Sequence, residues 1–184
     1  MISAQEWKSF DDHNTIRMAG VVRESIVDGP GLRMAVFCQG CPHGCPGCHN
    51  QETHDFAGGY DCEIEKIVQA VKADPLLDGV TFSGGEPFCQ PEAFFNLALA
   101  LKELRPDLNL MAYSGYTYEE LTAMHSEGVD RLLAIIDYLV DGPFILAERD
   151  LTLLFRGSAN QRVIDMNRTR DEGAVVLAEK YMKS

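Results

Sequence analysis

The chain has 184 residues, of which 46% are hydrophobic and 24% charged, as expected for one globular domain with its own core. It has no apolar run of about 18 residues and no secretion-signal pattern, so we expect a cytoplasmic protein that does not enter a membrane. Its net charge of −12 argues against nucleic-acid binding, because phosphates require a basic face.

Strand and helix patterns alternate along the chain. Apolar runs predict strands over residues 18–22, 34–39, 79–83, 108–113, 137–140 and 153–155. Helical spacing predicts helices over residues 63–73, 91–104 and 117–126, with 131–135 continuing the last one. This order indicates a parallel α/β sheet whose strand C-termini share one side. Residues 18–166 are predicted to form the core domain, with extensions at 1–17 and 167–184.

The strongest local anomaly is a cluster of four cysteines within residues 38–48, among six in the chain. The loop reads Cys41-Pro-His-Gly-Cys45-Pro-Gly-Cys48, and its Gly and Pro residues let three thiolates wrap around a compact centre. Clustered thiolates select zinc or an iron–sulfur cluster. The spacing alone leaves both open, and a zinc site would be completed by Cys38, His43 or His49.

The cysteine loop after an early strand, followed by Ser83-Gly84-Gly85-Glu86-Pro87 after the next, resembles the radical SAM (S-adenosylmethionine) superfamily. Residues 24–33 and 48–53 are similar to activating enzymes for glycyl radical enzymes. Residues 140–144 and 155–161 are similar to the activating enzymes of anaerobic ribonucleotide reductase. The resemblance covers roughly residues 18–165 and implies an α/β fold, a partial (β/α)6-type open TIM-like barrel. The length is short for a full eight-unit barrel, and we expect about six strands.

The resemblance implies a [4Fe–4S] cluster held by Cys41, Cys45 and Cys48, with SAM at the fourth iron. Reductive cleavage of SAM would give a 5′-deoxyadenosyl radical, which would generate a glycyl radical on anaerobic ribonucleotide reductase. A flavodoxin- or ferredoxin-like protein would supply the electron. Two alternatives stay open: activation of another glycyl radical enzyme, such as pyruvate formate-lyase, and a non-catalytic zinc-binding module.

The resemblance also implies a set of SAM contacts, namely His49, Asn50, Ser83, Gly84, Gly85, Glu86, Ser114 and Gly115. In this reading Glu86 and the strand-end carbonyls accept hydrogen bonds from the methionine amino group. Two alternatives remain: residues 83–87 as a plain β–α turn, and Ser114 as an internally bonded loop serine. His43 is expected to be a solvated filler. A cation site beside SAM is doubtful, because residues 112–115 lack an acid and only Asp141 offers one nearby.

The partner's radical loop is predicted to contact two segments, through Asp28, Gly29, Arg156, Ser158, Asn160 and Gln161. The second of these segments, residues 156–161, offers hydrogen-bond donors suited to an extended peptide. An alternative interpretation of this segment is a capped strand exit. Cys38 is predicted to be a core residue of its strand, and Cys62 and Cys89 are interpreted as structural.

Overall fold

The structure is a computed structural model that describes residues 7–183. Within them the chain forms seven strands, β1 Thr15–Ser25, β2 Arg33–Cys38, β3 Tyr60–Glu63, β4 Gly79–Gly84, β5 Asn109–Tyr113, β6 Tyr138–Asp141 and β7 Arg162–Asp165. The same region contains six α-helices, α1 Ile64–Ala73, α2 Pro91–Leu104, α3 Tyr118–Ala123, α4 Glu127–Ile135, α5 Met166–Glu172 and α6 Glu179–Met182. None of these helices is long and apolar enough to cross a membrane.

The seven strands form one open sheet in the order β3-β1-β2-β4-β5-β6-β7. Strands β2, β4, β5 and β6 run parallel, whereas β1, β3 and β7 pair antiparallel at the two flanks. The predicted α/β class and open partial barrel are confirmed. The sheet has seven strands where about six were expected, and the prediction of a parallel sheet is wrong for the flanking strand pairs, which are antiparallel. The antiparallel pairing follows from how the strands are connected. No crossover α-helix joins β1 to β2 or β6 to β7, so the chain turns back and the second strand runs opposite to the first.

The central strands are nearly continuous apolar runs because both of their faces are covered. Val80 and Phe82 of β4 are fully buried, and the Phe82 ring centroid lies 5.0 Å from that of Phe94 in α2. Helices α1, α2 and α4 bury their apolar faces in this main core. On the other face, Met111 and Val140 form a smaller cluster against the C-terminal segment that contains α6.

The predicted strand over residues 153–155 is wrong. These residues lie in the loop between β6 and β7, where Phe155 has a φ of 58° and Leu154 is 44% exposed. The last strand of the sheet is instead β7, in which Val163 and Ile164 are fully buried. A short apolar run in the sequence does not distinguish a buried strand from an exposed apolar loop.

The N-terminal residues that the structure describes pack on the outside of the core. The ring centroids of Trp7 and Phe10 lie 5.7 and 5.6 Å from that of Phe95 in α2. The guanidinium carbon of Arg131 lies 4.5 Å from the Phe10 centroid, a cation–π distance. The predicted limits of the core domain, 18 and 166, stay a prediction.

The carboxyl ends of the four parallel strands lie side by side. Cys38 at the end of β2 pairs with Gly84 at the end of β4, and Tyr113 of β5 pairs with Val140 of β6. Ligands of open parallel sheets bind outside these ends. The segments that follow, residues 39–50, 85–90, 114–117 and 142–161, therefore meet at one edge of the sheet.

Candidate active site

The cysteine loop, residues 39–50, is fixed at its base between two neighbouring segments. Gly40 N donates to Thr53 O at 2.8 Å, and Glu86 N donates to Gly40 O at 2.8 Å. The second contact requires a glycine at position 85, because a Cβ there would lie 2.8 Å from the carbonyl carbon of Gly40. This backbone approach of two strand ends presents the cysteines at the edge of the sheet.

Cys41, Cys45 and Cys48 all line one cavity of about 490 Å³. The three thiols are free and half-buried. Burial raises the pKa of Cys41 and of Cys48 above its ordinary value. Because a metal binds the thiolate form, loading of this site must release protons.

The other three cysteines lie elsewhere. Cys38 is fully buried on β2, as predicted for a core residue. Cys62 is half-buried on β3, and Cys89 is exposed in the turn before α2. None of these three lines the cavity, so within residues 7–183 the cavity offers three thiols.

This donor set fits an iron–sulfur cluster better than a single zinc ion. Among the described residues, no three His, Cys, Asp or Glu side chains form a group that could hold one metal ion. In a [4Fe–4S] cluster each thiolate binds a different iron, so the sulfurs surround a volume and need not converge on one point. Three thiolates leave one iron open, as in catalytic metal sites. Of the residues that could complete a zinc site, Cys38 does not line the cavity and His43 Nε2 is hydrogen-bonded to Glu86, whereas His49 lines the cavity.

The end of β4 supplies a wall made of backbone. Ser83, Gly84 and Gly85 all line the cavity. Gly84 has a φ of 96°, and a Cβ there would lie 2.6 Å from the backbone nitrogen and oxygen of Cys38. Without side chains at these two positions, the backbones of Cys38 and Gly40 can lie close to the end of β4.

Glu86 follows this wall but does not line the cavity. Its fully buried carboxylate accepts from His43 Nε2 at 2.7 Å, Gly115 N at 2.8 Å, Phe88 N at 3.0 Å and Ser114 Oγ at 3.1 Å. The expectation that His43 is a solvated filler is therefore wrong, because its side chain is 15% exposed and hydrogen-bonded. The spacing of residues in the cysteine loop does not predict the His43–Glu86 contact, because this contact depends on which strand ends are neighbours in the folded sheet.

The structure brings the predicted SAM contacts together, with the exception of Glu86. His49, Asn50, Ser114 and Gly115 line the same cavity as the cysteines and residues 83–85. The Ser114 hydroxyl donates to Glu86 and accepts from Tyr116 N at 3.1 Å, as in the alternative of an internally bonded serine. The individual contacts with SAM stay predictions.

Comparison with known proteins identifies the family. The model of a family described as a 4Fe-4S single cluster domain matches residues 27–164. The anaerobic ribonucleoside-triphosphate reductase-activating protein of Vibrio cholerae is 38% identical over 142 residues, which cover 74% of this chain and 89% of that protein. The chain belongs to this family of activating proteins. The matched range includes every residue that lines the cavity.

Two further proteins are similar to this chain, over shorter stretches than the Vibrio cholerae protein. The pyruvate formate-lyase-activating enzyme of Clostridium pasteurianum is 36% identical over 112 residues, covering 57% of this chain and 47% of the enzyme. The crystal structure of QueE from Escherichia coli is similar at a TM-score of 0.43 and 15% identity. It covers 56% of this chain and 53% of the QueE chain.

In this chain, most of the polar groups predicted to bind a partner peptide form hydrogen bonds with other groups of the chain. Gln161 Nε2 donates to Gly142 O at 3.0 Å. Ser158 Oγ donates to Asn160 Oδ1 at 2.7 Å, and Asn160 Nδ2 donates to Pro143 O at 2.8 Å. These hydrogen bonds support the alternative interpretation of the segment as a capped strand exit.

Arg156 and Asp28 line the cavity, whereas Gly29 does not. The Arg156 side chain donates to Met182 O at 3.2 Å, and burial lowers the pKa of its guanidinium. Its Nε is buried and has no hydrogen-bond partner among the described residues. Asp28 Oδ2 accepts from Ser25 Oγ at 2.5 Å. Three of the six predicted partner contacts, Asp28, Arg156 and Gln161, therefore line the cavity, and of these Arg156 keeps an unpartnered Nε.

Exposed apolar side chains, which the sequence reasoning missed, flank the mouth of the cavity. Val27, 72% exposed, and the half-buried Leu153 line the cavity from two different loops. Close to them in the sequence, Ile26 is 76% and Leu151 is 80% exposed. We call Ile26, Val27, Leu151 and Leu153 the apolar mouth. A cluster of exposed apolar side chains around a cavity indicates a binding surface.

Asp141, the acid considered for a cation site, is already paired. Its carboxylate accepts from Arg162 Nε at 2.9 Å and from Tyr118 N at 2.7 Å. The side chain is 1% exposed and does not line the cavity. Its charge is thus neutralised within the protein.

Proposed function

We propose that this chain activates anaerobic ribonucleotide reductase by reductive cleavage of SAM, which generates a glycyl radical on that enzyme. The observation that carries this proposal is the placement of Cys41, Cys45 and Cys48 around one cavity, beside a glycine-lined strand end, without a fourth thiol there in the described chain. The printed names of the similar proteins, an activating protein and an activating enzyme, support it.

The residues of the chain divide the work of binding. The thiolates of Cys41, Cys45 and Cys48 would hold the [4Fe–4S] cluster, which would supply the electron for reductive cleavage of SAM to methionine and a 5′-deoxyadenosyl radical. The backbone of residues 83–85 accepts hydrogen bonds from the methionine amino group. His49, Asn50, Ser114 and Gly115 lie along the remaining wall, where the adenosine part binds.

Aromatic side chains exclude water from the reaction. The rings of Phe37, Phe144 and Phe155 line the cavity together with the cysteines. A site that excludes water protects a reactive intermediate from side reactions.

The partner approaches through the apolar mouth. A radical formed in the cavity must reach a glycine Cα, so the partner's loop must enter between residues 26–28 and 151–157. Asp28 and Arg156 then contact the peptide, while Ser158, Asn160 and Gln161 shape the strand exit behind it and Gly29 shapes the facing turn. A flavodoxin- or ferredoxin-like donor supplies the electron in the cytoplasm, and neither nucleic acid nor membrane takes part.

We further propose that residues 18–166 form the catalytic core, with extensions at 1–17 and 167–184. The family match over residues 27–164 lies inside this range and supports it. The C-terminal extension supports the cavity wall, because Arg156 donates to Met182 O.

The partner is tested by electron paramagnetic resonance (EPR). The anaerobically loaded, reduced protein is mixed with SAM and purified anaerobic ribonucleotide reductase, and in parallel with pyruvate formate-lyase. We expect a glycyl radical signal on the reductase. A signal on pyruvate formate-lyase alone would assign the chain to the second candidate, which the 36% identity to a pyruvate formate-lyase-activating enzyme keeps in view. Zinc without iron or sulfide after anaerobic purification would instead support a binding module.

Leu151→Asp is expected to reduce glycyl radical formation on the partner by roughly tenfold or more, because a charge in an apolar interface is costly to bury. SAM cleavage without the partner should continue at the wild-type rate, since the 80% exposed Leu151 is not a cavity-lining residue. The matched control is Leu76→Asp, which changes a 73% exposed leucine before β4 at the opposite edge of the sheet. Equal loss of both reactions in Leu151→Asp would contradict the docking role.

A further inference from the structure

Glu86 is a fully buried carboxylate whose hydrogen-bonding capacity is already used by the chain. Four donors reach it: His43 Nε2, Gly115 N, Phe88 N and Ser114 Oγ. An ionised carboxylate offers about four acceptor sites. A fifth donor, such as the amino group of SAM, would have to displace one of these, and Glu86 does not line the cavity.

The four donors come from three separate segments. His43 belongs to the cysteine loop, Phe88 to the turn after β4, and Ser114 and Gly115 to the turn after β5. The His43–Glu86 contact is the one that includes the cysteine loop, and at 2.7 Å it is the shortest of the four. Since an ionised carboxylate only accepts hydrogen bonds, this contact requires the proton of the His43 ring to be on Nε2.

The surroundings of His43 are shaped for its ring. The His43 and Tyr116 centroids lie 4.4 Å apart in an edge-to-face arrangement. A Cβ at position 115 would lie 2.6 Å from His43 Nε2, so the ring occupies the space that the missing side chain of Gly115 leaves. The chain therefore provides both a hydrogen bond and a packing site for this histidine.

We propose that the His43–Glu86 pair is a positioning device, which fixes the cysteine loop against the ends of β4 and β5 so that the cluster thiols and the SAM-binding wall keep one relative geometry. Glu86 then acts on SAM through His43 and the loop, and not by direct contact. The inference rests on the proposed function only in its consequence for SAM, because the effect on the loop exists without any cofactor.

The effect on the loop is tested in the metal-free protein by amide hydrogen exchange of residues 40–46. Loss of a buried charge-assisted hydrogen bond is expected to speed exchange in His43→Ala and Glu86→Gln by roughly tenfold to hundredfold. The double variant should exchange no faster than the faster single variant, because each change removes or weakens the same contact. His43→Gln, whose amide nitrogen can donate in place of Nε2, should restore part of the protection.

Two further variants separate a loop effect from general destabilisation. Ser114→Ala removes one of the four donors and keeps the His43 contact, so a smaller increase in loop exchange is expected. Asp137→Asn breaks the ion pair with Lys102, 2.9 Å long, at the opposite edge of the sheet, and should leave loop exchange at the wild-type rate. Wild-type loop exchange in both His43→Ala and Glu86→Gln would overturn the proposal.

A direct contact between Glu86 and SAM and an indirect role through His43 predict different Kd values for SAM in the loaded variants. The positioning role predicts that His43→Ala and Glu86→Gln raise the Kd for SAM by similar factors. A raised Kd in Glu86→Gln alone, with unchanged loop exchange, would show direct contact and overturn the proposal. If wild-type loaded protein failed to cleave SAM, the proposed function would fail, whereas the exchange results would stand by themselves.

Discussion

Cys45→Ser is expected to abolish the [4Fe–4S] cluster and to lower SAM cleavage by more than about 100-fold. Changes to groups that only support a metal ligand already cost about 10- to 100-fold in metal affinity or activity, and Cys45 is itself one of three thiols around the cavity. The measurement is iron and sulfide content, with the absorbance of the cluster, after anaerobic reconstitution.

The control for this experiment is Cys62→Ser. Cys62 is a free, half-buried cysteine on β3 that does not line the cavity, so its variant should load a full cluster. Cys89→Ser should also load normally. A cluster that survived in Cys45→Ser, or was lost in Cys89→Ser, would contradict ligation by Cys41, Cys45 and Cys48.

Gly85→Ala is expected to destabilise the metal-free protein, at the upper end of the roughly 1–3 kcal/mol that overpacking costs. A Cβ at position 85 would lie 2.8 Å from Gly40 C and 3.0 Å from Gly40 N, and these are backbone atoms that cannot rotate away. For a protein of this length, such a loss lowers Tm by about 5–10 °C. Thermal unfolding of the metal-free variant measures it, and cluster loading should fall as well, because Gly40 begins the cysteine loop.

The matched variant for Gly85→Ala is Gly20→Ala in β1. A Cβ at Gly20 meets nothing within 4 Å, and its φ is not positive. Its stability should therefore stay within about 0.5 kcal/mol of the wild type. Equal stability of Gly85→Ala and Gly20→Ala would show that the two strand ends are not held as closely as the hydrogen bond from Glu86 N to Gly40 O implies.

The cavity could largely be predicted from the sequence because parallel strands end at one edge. The cysteine loop after β2, residues 83–85 after β4, and Ser114 and Gly115 after β5 were expected to meet, and they line one cavity. Motif spacing within each loop is local information, and the order of strands and helices supplies the rest. The capping box that starts α3 at Thr117 is predictable for the same local reason.

The strands at the flanks of the sheet, and the hydrogen-bond partners of the polar side chains, could not be predicted in this way. Strand β3 reads Tyr-Asp-Cys-Glu and lies exposed at the sheet edge, so its sequence has no apolar alternation. The apolar run at residues 151–155 resembles a core strand, although it belongs to the loop at the cavity mouth. Which donors reach Glu86 depends on three loops that meet only in the folded chain.

The apolar mouth and the His43–Glu86 pair separate two requirements of the proposed reaction. The mouth must admit a protein loop, so its side chains stay exposed and contribute little to folding. The pair must hold the cysteine loop still, so its groups are buried and bonded. The expected results differ accordingly, because Leu151→Asp affects only the partner reaction and His43→Ala affects the loop in every state of the protein.

The central claim is that three cysteines hold a four-iron cluster and leave one iron free to bind SAM. Its most direct test is the formation of 5′-deoxyadenosine by the anaerobically reconstituted, reduced protein supplied with SAM. We expect 5′-deoxyadenosine and methionine in equal amounts, with neither formed when iron, sulfide or reductant is omitted. Intact SAM after incubation with fully loaded, reduced protein would contradict the claim.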